Sequence, residues 1–123
     1  MGNIDVRNHL EMIYFILDRH DFPGDKFRIV PNLERAGMSW EGNILIREII
    51  GESEAMPEFL PLGDDLRELL LRDHGIRVAC LVLHEMYHCR NHFTPVSDLS
   101  WEIRTANEIA ADEWALKQMG LIE

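Results

Sequence analysis

Apolar residues recur at helical spacing at Leu10, Ile13, Tyr14 and Leu17. That period predicts an amphipathic helix over residues 3–20, with Asn3 or Asp5 able to cap its start. The Pro-Gly pair in residues 21–25 (DFPGD) predicts a turn, and the weak alternation of residues 27–30 (FRIV) predicts a short strand. Residues 38–40 and 44–50 (ILIREII) are β-prone and flank Glu41, Gly42 and Asn43, so they predict a hairpin. Two prolines and two glycines make residues 51–63 a loop. Asp64 and Asp65 then predict the start of a helix over residues 65–74, ended by Gly75.

Residues 76–91 (IRVACLVLHEMYHCRN) are apolar nearly all round in their first half, the pattern of a helix buried at the centre of a fold. Residues 94–98 (TPVSD) break it, and a last helix is expected over residues 100–119 with Gly120 just past its end. Helices around one small, mostly antiparallel sheet give an expected class of α+β.

Length and charge narrow the picture. The 123 residues are one domain's worth, expected to span 1–123. The formal net charge of −10 repels phosphate backbones and anionic headgroups. Neither nucleic acid nor a membrane is therefore an expected partner. No apolar run reaches the roughly 18 residues a membrane span needs. Residues 12–17 (MIYFIL) follow Glu11 and lack a small-residue cleavage site, so they do not read as a signal peptide. Cys80 and Cys89 lie on one predicted helix, about 13 Å apart along its axis and beyond disulfide reach. Free thiols fit a reducing compartment, and the expected localisation is cytoplasmic.

The chemistry is concentrated in His84, Glu85 and His88, an H-E-x-x-H pattern on the predicted central helix. Residues four apart are separated by about 40° around a helix and about 6 Å along it. Both imidazoles can therefore reach one zinc ion, and Glu85, about 100° from His84, lies beside the metal. A carboxylate there can take a proton from an attacking water. Shuffled chains of this composition carry the pattern roughly 3% of the time; the plain alternative is a helix with ordinary polar-face histidines.

A catalytic zinc usually has three protein ligands and a water. His92 follows His88 by four, but on a straight helix it stands about 12 Å from His84, so the three rings cannot converge. It reads as a surface residue. Glu108, twenty residues after His88, is the better candidate, because the break at 94–98 lets two helices pack side by side. Asp112 shares the face of Glu108. It can accept the free ring N–H of a ligand histidine. The plain alternative is that both are solvated helix charges, set against apolar neighbours Ile109, Ala111 and Ala115.

Asn107-Glu108-Ile109-Ala110-Ala111-Asp112 after His84-Glu85-Met86-Tyr87-His88 resembles the gluzincin metallopeptidase pattern, H-E-x-x-H followed by E-x-x-x-D. Among gluzincins, the short chain and the hairpin before the motif helix are similar to the ImmA/IrrE family. Tyr87 stands where that family often carries Gly. The resemblance implies a minimal zincin-like domain and a compact intracellular zinc peptidase that acts on repressor-type regulators. It covers residues 84–112 specifically and 27–83 loosely.

The function expected from these residues is zinc-dependent hydrolysis of peptide bonds in a protein or peptide substrate, with His84, His88 and Glu108 as ligands and Glu85 as base. The second oxyanion donor is left among Tyr14, His74 and a loop arginine. The run 44–50 is expected to form an edge strand beside the metal, where Leu45 and Arg47 bind an extended substrate by strand addition; the plain alternative is an internal strand with both edges occupied. The competing reading is a non-catalytic zinc-binding regulatory or interaction protein. A closed structural site would then draw a fourth ligand from Cys80, Cys89 or His92. A metal-dependent amidase is a third option. Trp40, Trp101 and Trp114 read as core anchors.

Overall fold

Ile4 and Val6 are fully buried, and this decides how the chain begins. The computed structural model describes every residue except 1, 55, 58, 59, 93 and 95. Strand β1 (Asn3–Asp5) pairs antiparallel with β5 (Ile49–Gly51), setting Ile4 opposite Ile50. Asp5 then caps a 3-10 turn over Val6–His9 by accepting from the Arg7 amide at 3.0 Å. Only after that turn does α1 (Leu10–Arg19) start, burying Ile13 and Leu17. The helix expected over 3–20 is therefore shorter. Its first residues are drawn into a sheet because Ile4 buries more completely against Ile50 than a surface helix would allow.

Strand β2 (Phe27–Val30) forms as expected. The hairpin joins β3 (Gly37–Trp40) to β4 (Asn43–Arg47) through a two-residue loop, Glu41-Gly42. Both loop residues have positive φ, 51° and 79°, as the mirror-image turn of a tight hairpin requires. The strand order is β2-β4-β3, with β4 parallel to β2 and antiparallel to β3.

This order corrects the edge-strand expectation. The run 44–50 is divided at Glu48, whose N–H donates to Val30 and whose carbonyl accepts from Val6. Its first part is the central strand, and Leu45 is paired with Arg28 on one side and Met38 on the other. No backbone edge is left there for a substrate. The Arg47 guanidinium is occupied internally: it donates to the carbonyls of Ile49, Leu33 and Glu34 and pairs with Glu54. Leu45 and Arg47 thus build the sheet and its connections. The edge strands of this sheet, among the described residues, are β2 and β3.

Helix α2 (Asp64–Arg72) is shorter than expected because Asp73, not Gly75, marks the boundary. Asp73 accepts from the Ile76 amide at 3.1 Å and opens α3 (His74–Asn91), leaving Gly75 in the first turn of that helix. Ser100 caps α4 (Trp101–Gln118) by accepting from the Ile103 amide at 3.3 Å. Gly120, at φ 73°, closes it in the left-handed region that favours glycine. Helix α3 lies at the centre. Val82 and Met86 are fully buried in one core with Ile13, Leu17, Ile44 and Ile46. Each such side chain is worth roughly 1.5–3 kcal/mol of burial. Ala111 and Ala115 are also fully buried, letting α4 approach α3 closely.

The class is α+β, as the pattern of elements predicts, with two small sheets rather than one. Among the described residues no helix is long and apolar enough to cross a membrane. Trp40 and Trp101 are exposed rather than core anchors. Trp114 alone of the three is partly buried, with its ring 5.6 Å from that of Tyr87 and 5.5 Å from that of His20.

Candidate metal centre

His84, Glu85 and His88 sit on the half of α3 that faces both β3 and α4. The helical spacing brings the two Nε2 atoms within 3.2 Å of each other. Glu108, from α4, reaches both: its two carboxylate oxygens stand 3.0 Å from His84 Nε2 and 3.0 Å from His88 Nε2. Glu85 Oε2 lies 3.8 Å from His84 Nε2. His84, Glu85 and His88 offer donor atoms within 4.8 Å of one another and could hold a metal ion.

The outer nitrogens of both rings are engaged. His84 Nδ1 is 2.6 Å from Asp112 Oδ1, and His88 Nδ1 is 2.7 Å from His92 Nδ1. His92 is half-buried against the other rings, not a free surface residue. His92 follows His88 by four and keeps its backbone N–H on the His88 carbonyl at 2.9 Å, so its ring meets that of His88 much as His88 meets that of His84.

Burial and charge oppose each other at this cluster. Burial pushes the His84 pKa down, but hydrogen bonds to Asp112 and Glu108 outweigh it and raise the group to about 10. Burial would raise the Glu108 carboxyl, yet the two histidines hold it far below its ordinary range. Glu85 is only 6% exposed. Burial raises its pKa, resisted by the charges of His84, His88 and Arg35. Without a cation, three groups with lone pairs thus meet at one point and must share protons to do so. A divalent cation in their midst would satisfy all three, which is the fit expected of a metal-ligating set.

A glycine makes this packing possible. A Cβ at Gly37 would meet Ile46 Cδ1 at 3.0 Å, Leu81 Cδ1 at 3.1 Å and Glu85 Cγ at 3.3 Å. A side chain there would require these neighbouring side chains, Glu85 among them, to give by a few tenths of an ångström. The Arg47 guanidinium holds the Leu33 and Glu34 carbonyls, and so fixes the loop that carries Arg35 just ahead of β3. Neither Gly37 nor Arg35 stands out in the sequence, because their roles depend on a register that local pattern does not encode.

The remaining candidates lie elsewhere. His74 opens α3, about 15 Å along the axis from His84. Tyr14 packs on Phe27 at 5.9 Å and lines a hollow of about 390 Å³ with Arg7, Leu10, Ile29 and Glu48, away from the histidines. Cys80 and Cys89 are free and buried. Cys89 Sγ donates to the Asn43 carbonyl at 3.4 Å, and burial pushes the Cys80 thiol up to about 12. Neither is a ready thiolate ligand.

No family model, curated protein or solved structure matches the chain. An H-E-x-x-H cluster able to hold a metal ion is therefore what stands of the likeness read from the sequence.

Proposed function

We propose that the chain is a zinc-dependent peptidase, with zinc held by His84, His88 and Glu108. The observation that carries this reading is the convergence of the two Nε2 atoms on the Glu108 carboxylate at 3.0 Å each, with both outer ring nitrogens already engaged. Two histidines and one carboxylate are a hydrolytic ligand set that leaves a position open. Zinc, when bound, supplies a Lewis acid and lowers the pKa of water towards about 7.

The chain's own residues do the rest. Glu85, beside the ligands but 3.8 Å from the nearer ring nitrogen, takes a proton from the attacking water. The water oxygen bonds to the scissile carbonyl carbon, the C–N bond breaks, and Glu85 passes the proton to the leaving amine. Asp112 holds the His84 ring by its Nδ1 proton. In this reading the loop arginine that stabilises the oxyanion is Arg35, whose charge acts on Glu85. An extended substrate adds to the free edge of β3, the strand against Glu85. Such a substrate must be an unfolded or loop segment, and the resemblance to the ImmA/IrrE family suggests a regulator or repressor.

The expected result is that zinc-loaded protein cleaves an unfolded protein substrate. Removing the metal with a chelator should abolish cleavage, and added zinc should restore it. Cleavage that is indifferent to the chelator would contradict the proposal.

A further inference from the structure

We infer that His92 is a positioning residue for the proposed zinc ligand His88, accepting the hydrogen bond that fixes that ring's tautomer and orientation. The inference rests on the zinc-site reading above. A ring nitrogen that offers its lone pair to a cation carries no proton. If His88 presents Nε2 to the metal, its one proton is on Nδ1. That proton points at His92 Nδ1, 2.7 Å away, so His92 must accept there and carry its own proton on Nε2. The two ligand rings are then supported differently. His84 donates to a carboxylate, Asp112, and His88 donates to a neutral imidazole.

The local structure is arranged for this contact. His92 caps the helix end, keeping its backbone N–H on the His88 carbonyl at 2.9 Å before its extended φ and ψ turn the chain away. The spacing of four thereby brings its ring to 4.8 Å from that of His88, as it brings His88 to 4.7 Å from His84. Tyr87 packs on His92 at 5.5 Å, and Trp114 on Tyr87 at 5.6 Å, so the acceptor is itself held by aromatic neighbours. The same contact argues against His92 as a ligand. Its Nδ1 is directed at the outer nitrogen of His88, while the inner Nε2 faces His84 and Glu108.

The test is zinc affinity, measured by chelator competition on the full chain, for wild type, His92→Leu, His92→Asn and His88→Ala. Asn can put Oδ1 close to where His carries Nδ1. His92→Leu should weaken zinc binding by about 10–100-fold, as loss of a partner behind a ligand does, and His92→Asn should recover most of it. Long-range ¹H–¹⁵N spectra of the zinc-loaded wild type should show His88 protonated on Nδ1 and His92 on Nε2. Wild-type affinity in His92→Leu would overturn the inference. So would an Asn variant as weak as Leu, which would make the role one of packing, or a loss as large as that of His88→Ala, which would make His92 a ligand. A wild type that binds no zinc would overturn the zinc-site reading itself, and His92 as a ligand would change its ligand set; the other outcomes leave that reading intact.

Discussion

Glu85→Gln should retain zinc and the fold while losing cleavage by about 100- to 10,000-fold, the contribution of a positioned general base. The amide keeps the size and hydrogen-bonding reach of the carboxylate but takes no proton. Stability should not fall. Burial raises the Glu85 pKa above its ordinary 4.5, so in the metal-free protein the charged form is less favourable folded than unfolded. Its cost is therefore absent at low pH and appears as pH rises above that ordinary value. A neutral amide removes this cost, and the metal-free variant should melt at or above the wild-type temperature near pH 7. Zinc content and melting are the controls, and the cleavage rate is the readout. A variant that cleaves at the wild-type rate would remove Glu85 from the chemistry.

The second large effect is on metal binding. His84→Ala and His88→Ala should each lose most of the zinc, and Glu108→Ala should behave as a ligand loss of the same kind. Asp112→Ala should be milder, about 10–100-fold in affinity, because Asp112 touches a ring nitrogen and not the ion. The order Glu108 above Asp112 is what the geometry predicts. Glu108 places an oxygen 3.0 Å from both inner nitrogens, whereas Asp112 meets only the outer nitrogen of His84. Chelator competition on purified variants measures the whole series. Equal affinity in wild type and Glu108→Ala would give the third position to Glu85, the other acidic group beside the two rings.

Much of the site was legible because it is written in helical spacing. His84 and His88 meet because residues four apart share a helix face. Glu108 and Asp112 repeat that spacing on the next helix, which small residues bring close. What could not be read depended on pairing at long range. The run ILIREII has the composition of an edge strand and of a central one alike, and only its pairing with both Arg28 and Met38 decides the matter. The first helix was overextended because the pull of Ile50 on Ile4 comes from 46 residues away. His92 reads as a surface residue because it cannot reach His84, but the same spacing of four sets its ring against that of His88. Gly75 reads as a stop, but Asp73 caps the next helix two residues earlier, and a side-chain cap sets the boundary.

The central claim is that two histidines and Glu108 hold one zinc ion and leave a position open. Anomalous diffraction at the zinc edge from a zinc-loaded crystal tests it most directly. The account predicts one peak per chain, about 2.0–2.2 Å from His84 Nε2, His88 Nε2 and a Glu108 oxygen, with Glu85 outside the coordination sphere. A peak bonded to Glu85 in place of Glu108, a fourth protein ligand, or no peak between the two rings would contradict it.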